Sequence, residues 1–202
     1  GNPGFWRVEN GELIGEAKDP LEKQQFLVSE QAFGDFALKF DFFVDSESLA
    51  NSGLFYRAEV VNEDDLYING YQGDIDFLTL TNWAGSFYDE RSYYDQDGFH
   101  ASGKMLTHTG ERLWVDSDGA RVVVKQLGDA DSLIKKLKKG EWGSYTIVAK
   151  GGHFVHRING EVYSDTILEA PARTNGLLAL QLHQHMTMIA RFRNIRIKQL
   201  GP

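Results

Sequence analysis

Apolar and polar residues alternate with period two over much of the chain, the pattern of strands with two unlike faces. In residues 36–44 (FALKFDFFV), Phe36, Leu38, Phe40 and Phe42 share one face. In residues 52–60, Leu54 and Tyr56 point one way, and Phe55, Arg57 and Glu59 the other. In residues 70–77, Tyr71 and Ile75 lie on one side, and Gln72, Asp74 and Asp76 on the opposite side. The polar sides of the last two segments together collect Arg57, Glu59, Gln72, Asp74 and Asp76. A sheet face so rich in charge and amide groups is either solvated surface or the floor of a polar site.

The remaining segments are short strands joined by turn signals. Residues 5–8 and 12–15 flank Asn10-Gly11, a hairpin turn. Residues 26–29 make a further strand, and 85–90 another. Residues 93–110 are polar and broken by Gly98, Gly103 and Gly110, so they read as a long excursion. Residues 113–115 and 121–126 form a second hairpin. Residues 142–150, 153–158 and 161–164 form a meander with turns at Gly151-Gly152 and Asn159-Gly160. The last two strands span 176–185 and 188–198. The spacing predicts one helix over 131–138, capped by Asp131 or Ser132, with Leu133, Ile134 and Leu137 as its apolar stripe and Gly140 as its stop. Many strands, one short helix and tight turns imply an all-β sandwich of two antiparallel sheets, with residues 1–202 as a single domain.

Composition narrows the function classes. The chain has 202 residues and a net charge of −8, which argues against a nucleic-acid partner. It contains no cysteine, hence no disulfide and no thiolate chemistry. No apolar run is long enough to span a membrane. The chain begins Gly-Asn-Pro without an initiator Met, and a leader is expected upstream. Aromatic residues with polar edges, 4 Trp and 8 Tyr, suit sugar stacking as well as a β core.

Seven segments, in this order, carry a resemblance: NSGLFYR (51–57), GYQGDI (70–75), GSFYDE (85–90), LKKGEW (137–142), YTIVAKGGHFVHRING (145–160), GLLALQLH (176–183) and FRNIRIKQL (192–200). Together they are similar to the 3-keto-disaccharide hydrolase family. The resemblance implies a concanavalin A-like jelly roll of the lectin and glucanase kind. It also implies a secreted, periplasmic or lipid-anchored bacterial protein. The family acts on glycosides whose 3-hydroxyl has been oxidised to a ketone. Two places depart from the family pattern: Gly143 after Trp142, and Gln184-His185-Met186 after LQLH.

With that resemblance, the polar face is expected to be a sugar site rather than solvated surface. A ketone at C3 acidifies the hydrogen at C2, so a base can remove it and expel the C1 aglycone; hydration completes net hydrolysis. The chemistry needs a base, an acid and a group that holds the enolate oxygen. Asp74, Asp76, Glu90 and His183 are the catalytic candidates, and Arg57 or a bound cation the enolate partner. Glu59, Gln72, Trp83, Tyr88 and Gln181 are further substrate-binding candidates. Gln181, His183 and His185 share parity on one predicted strand. His183 with Asp74 or Glu90 is a candidate site for a divalent metal ion as cofactor. The acidic loop 62–65 lacks regular Ca²⁺-ligand spacing and reads as a solvated turn. Phe87 reads as core, and His100 and His108 as solvated loop histidines. One rival reading is a non-catalytic, lectin-like carbohydrate-binding module, which needs the aromatic platform but not the carboxylates; a second is a conventional hydrolase of unoxidised glycans.

Overall fold

Turn chemistry divides the chain into strands. Asn10 and Gly11 adopt positive φ (51° and 77°), as do Asn159 and Gly160 (51° and 85°). Two-residue turns of this hand match the twist of paired antiparallel strands. The first closes β1 (Trp6–Glu9) onto β2 (Glu12–Ala17). Then come β3 (Gln25–Val28), β4 (Phe36–Asp45), β5 (Asn51–Asn62), β6 (Tyr67–Asp76) and β7 (Phe87–Glu90). β8 (Tyr93–Asp95) and β9 (Gly98–His100) form a separate small hairpin. β10 (Gly103–Thr107), β11 (Glu111–Val115) and β12 (Arg121–Gln126) precede helix α1 (Ala130–Ile134). β13 (Gly143–Lys150), β14 (His153–Ile158), β15 (Glu161–Leu168), β16 (Leu177–Leu182) and β17 (Met188–Gln199) complete the chain. This computed structural model describes residues 1–62, 67–78, 83–91, 93–96, 98–100, 102–169 and 172–201.

The strands form a nine-stranded sheet, ordered β1-β2-β17-β4-β13-β14-β15-β11-β12, and a six-stranded sheet, ordered β10-β7-β6-β5-β16-β3. The expected two-sheet jelly-roll sandwich is therefore present. Among the described residues its pairs are antiparallel except β11 with β15, which run parallel. The predicted alternation of β4 holds: Phe36, Leu38, Phe40, Phe42 and Val44 are all buried. Opposite them, the six-stranded sheet contributes Leu54, Tyr56, Tyr71, Ile75, Phe87, Leu180 and Leu182 to one continuous core. Phe40 stacks on Tyr145 at 5.4 Å, and Tyr71 and Phe87 meet at 4.9 Å. Each buried Phe or Leu contributes about 2 kcal/mol by leaving water. Gly143 is one of the two departures noted above, and a Cβ there would lie 2.6 Å from the Phe42 ring.

Three expectations shift. The excursion at 93–110 is structured: it holds the β8–β9 hairpin, and β10 pairs with β7 as the edge of the six-stranded sheet. The helix is shorter than its apolar spacing suggests. Its cap is Asp129, whose Oδ2 accepts from Ser132 N at 2.8 Å and Ser132 Oγ at 2.7 Å. Of the acidic loop 62–65, only Asn62 lies within the described residues.

The third concerns β5. Tyr56 pairs with Tyr71, but Glu59 pairs with Asn69, so β5 carries one extra residue. Arg57 sits in that bulge with φ 47°. A bulge reverses facing for the residues beyond it. Arg57 consequently leaves the outer face and is fully buried. Its Nη1 donates to Gly151 O (2.7 Å) and Arg173 O (2.6 Å), and its Nη2 pairs with Asp35 Oδ1 (2.7 Å). The guanidinium also lies 5.1 Å from the Phe154 ring centroid. It staples two loops to the start of β4. Glu59 ends exposed, on the face opposite Asp74, paired with Arg173 at 2.8 Å.

Two consequences are measurable. Arg57→Met removes the cation paired with Asp35 and the donors to three carbonyls, of Gly34, Gly151 and Arg173, so urea denaturation should show a loss of about 3–5 kcal/mol. His156 is fully buried between Tyr56 OH (2.9 Å) and Ser86 O (3.0 Å), and burial lowers its pKa to about 4. A depressed pKa gives stability that is full above 6.5 and lost as pH falls toward 4. This term is about 3 kcal/mol. The fall in unfolding free energy between pH 7 and 4.5 should be smaller by that order in His156→Gln than in the parent chain.

Candidate functional site

The outer face of the six-stranded sheet is set by register. Gln181 pairs with Gly53, and Gly53 with Asp74; Phe55 pairs with Gln72, and Gln72 with Tyr88. Asn51 pairs with Asp76, and Gly70 with Glu90. Directly paired residues project to the same side. The structure thus gathers Gln72, Asp74, Asp76, Tyr88, Glu90 and Gln181 on one face, as expected. The other half of that face is apolar, with Phe26, Phe55, Ala58, Ile68 and Ala179 packed on one another.

Glycine shapes the floor. A Cβ on Gly53 would overlap Gln72 Nε2. Its absence lets the Gln72 amide cross β5 and donate to Gln181 Oε1 at 2.7 Å. Gln181 Nε2 in turn donates to Gln24 Oε1, which extends the row of amides. Gly103 similarly leaves room for the Tyr88 ring, since a Cβ there would overlap its hydroxyl.

The acidic pair sits beside this row. Asp74 is buried, and Ser86 Oγ donates to its Oδ2 at 2.9 Å. Burial pushes the Asp74 pKa well up; Ser86 opposes the shift and Asp76 adds to it. Asp76 is also buried, and its Oδ1 accepts from Leu78 N (3.0 Å) and Asn51 Nδ2 (3.4 Å). Tyr88, Glu90 and His183 are half-buried and form the accessible rim. Burial, with Glu90 and Asp74 adding, raises the Tyr88 phenol to about 12, so it stays a donor.

His183 lies just past the end of β16, near enough to Asp76 to feel its charge. Its pKa is lowered, first by burial and then by His185, with Gln184 O and Asp76 opposing. The Gln184 carbonyl can only accept, so His183 Nδ1 carries the proton of their 2.8 Å bond. Nε2 is therefore the lone-pair nitrogen of a neutral ring.

Several expectations do not assemble. Arg57 and Glu59 are absent from this face, for the reason given by the bulge. β16 ends at Leu182, and His185 occupies a turn with φ 63°, exposed, with its N–H donating to Leu21 O (2.8 Å). Parity therefore does not carry from Gln181 to His185. Among the described residues no three His, Asp or Glu side chains converge as metal ligands. Trp83 is half-buried at the turn leading into β7, where its carbonyl accepts from Ser86 N (2.8 Å). Phe87 is core, as expected. A cavity of about 640 Å³ opens elsewhere, between the first hairpin and residues 18–25, and none of the site candidates lines it.

Sequence reading missed Gln24, Asn51 and Ser86. Ser86 lies within GSFYDE, and a serine beside a turn glycine was its only signal. Nothing local marks Gln24, which reaches the site from a distant segment.

Residues 1–198 match the 3-keto-alpha-glucoside-1,2-lyase-like domain family. Among solved structures, the chain is similar to a Parabacteroides distasonis protein provisionally described as a glycosyl hydrolase. Identity is 20%, coverage 98% of this chain and 92% of that one, and the TM-score 0.61. It is also similar to the carbohydrate-binding module CBM66 of Bacillus subtilis (12% identity, 96% and 91% coverage, TM-score 0.54). The Bacillus licheniformis β-glucanase matches at 12% identity, over 99% and 84%, with TM-score 0.52. At these identities the likeness speaks to fold alone. No curated protein sequence matches the chain.

The raised pKa of Asp74 carries a stability signature. The stability it contributes is full below 3.8 and lost as pH rises through its folded value. Asp74→Asn should therefore melt higher than the parent chain at pH 8, by about 2–6 °C. The gap should close by pH 3.5. Thermal melts at the two pH values decide it.

Proposed function

This chain belongs to the 3-keto-alpha-glucoside-1,2-lyase-like family, and from that premise we propose that its polar sheet face cleaves a 3-keto-glycoside by elimination across C1 and C2. The observation that carries the reading is a pair of opposite shifts on neighbouring groups. Burial and Asp76 push the Asp74 pKa well up, which favours its protonated form, while burial lowers the His183 pKa and its Nδ1–H is committed to Gln184 O, which leaves Nε2 as the lone-pair nitrogen. Two titratable groups pushed in opposite directions by their surroundings are how one site runs acid and base together.

His183 Nε2 takes the proton from C2, which the neighbouring ketone acidifies. The C2 electron pair forms the C1–C2 double bond as the C1–O bond breaks. Asp74 gives its proton to the departing oxygen, so the aglycone leaves as an alcohol. Tyr88, held in its phenol form, donates a hydrogen bond to the enolate oxygen. The amides of Gln72, Gln181 and Gln24 hold sugar hydroxyls. Addition of water at C1 of the enone completes net hydrolysis.

The same amide row favours a second reading, in which the face binds sugar without chemistry. An assay separates the two. The purified chain is incubated with an aryl 3-keto-α-glucoside and with its unoxidised counterpart, and aglycone release is followed. Release from the keto form only is expected, with kcat falling about 10²-fold or more in Asp74→Asn and His183→Ala. Equal turnover of both substrates indicates an ordinary glycosidase. Binding without turnover, unchanged in both variants, leaves the binding module.

A further inference from the structure

Three consecutive backbone carbonyls enter the core at the turn before β7. Each is met by a buried side chain from elsewhere in the sandwich. Thr109 Oγ1 donates to Ala84 O (2.6 Å), Ser164 Oγ to Gly85 O (2.8 Å), and His156 Nδ1 to Ser86 O (3.0 Å). All three donors are at most 3% exposed. His156 and Ser164 are direct cross-strand partners on β14 and β15. Thr109 follows β10. Gly85 itself has φ 72°, and a Cβ there would overlap Tyr163, so the turn admits no other residue without strain.

This turn touches Asp74 twice. Gly85 N donates to the Asp74 carbonyl at 2.9 Å, and Ser86 Oγ donates to its carboxylate at 2.9 Å. A chain of hydrogen bonds therefore runs from Tyr56 through His156 and Ser86 to Asp74, from the core to the outer face. The Ser86 carbonyl is only an acceptor, so His156 Nδ1 bears the proton and Nε2 accepts from Tyr56 OH. Polar side chains on an inner sheet face are costly unless paired, and an apolar core needs none of them.

We propose that Thr109, Ser164 and His156 are positioning residues that fix the 84–86 turn so that Ser86 Oγ is delivered to the Asp74 carboxylate. They touch no substrate and act only through Ser86. The inference rests on the reading of Asp74 as the acid, but its first readout does not need activity. The titratable groups that interact with Asp74 are Asp76 on its own strand, Tyr88 on β7 and Tyr145 from beneath the sheet; beyond them Glu90 acts on Tyr88, and His183 feels Asp76.

The experiment is a side-chain carboxyl ¹³C titration by NMR, with the Asp74 signal assigned by its loss in Asp74→Asn. Ser86→Ala deletes the donor and should move the Asp74 titration to higher pH. Ser164→Ala and Thr109→Val should move it the same way, and Ser86→Thr should return it. Ser164→Ala removes one oxygen, and Thr109→Val is isosteric, so at least one folds if His156 variants do not. With a 3-keto-glucoside, the alkaline limb of kcat should move up with the NMR midpoint. The neutral-pH rate should fall about three- to tenfold while KM stays within about twofold. The proposal is overturned if Ser164→Ala and Thr109→Val fold with lower Tm yet Asp74 titrates as in the parent chain. If the NMR midpoint moves but no variant or parent turns over substrate, the positioning stands and the reaction assignment fails.

Discussion

Register between β5 and β6 is the constraint on which the rest depends. It sets Tyr56 against Tyr71 in the core and, on the opposite face, Gly53 against Asp74 and Phe55 against Gln72. A slip of one residue would turn the carboxylates inward and the tyrosines outward. What prevents that slip is the aromatic packing beneath. Tyr56, Tyr71, Phe87 and Phe154 contact one another at 4.9–6.3 Å between centroids. The core thereby aims the site without contributing an atom to it.

The bulge at Arg57 shows what happens when that constraint is relaxed by one residue. Upstream, β5 presents its polar-face positions to the amide row. Downstream, the facing reverses, and a guanidinium that alternation would place at the site becomes the hub of two loops. A buried cation of this kind is tolerable because its donors are met by carbonyls and by Asp35. Its role is mechanical.

Burial then does the electrostatic work. The same low-dielectric surroundings push Asp74 up and His183 and His156 down, because each shift disfavours a charged form. At Asp74 the shift costs stability at neutral pH and favours the protonated form on the polar face. His156 is the reverse: its neutrality supports the fold and the turn beneath the site.

Much of the fold was legible locally. Alternation in β4, the two Asn-Gly turns and the polar parity of Gln72, Asp74 and Asp76 all appear in the structure as read. Each depends only on a residue and its near neighbours, which sequence displays directly. Arg57, Glu59 and His185 were misread for one reason: parity counts hold only while a strand stays regular, and a bulge or a strand end resets them. Ser86, Gln24 and the donors to the 84–86 turn were invisible because their roles arise from contacts 12 to 157 residues apart. The sequence by itself determined which faces are polar and where the chain turns, because those follow from covalent neighbours. Only the tertiary structure decided which polar groups meet and which are desolvated, because burial and pairing are properties of the packed sheets rather than of any one strand.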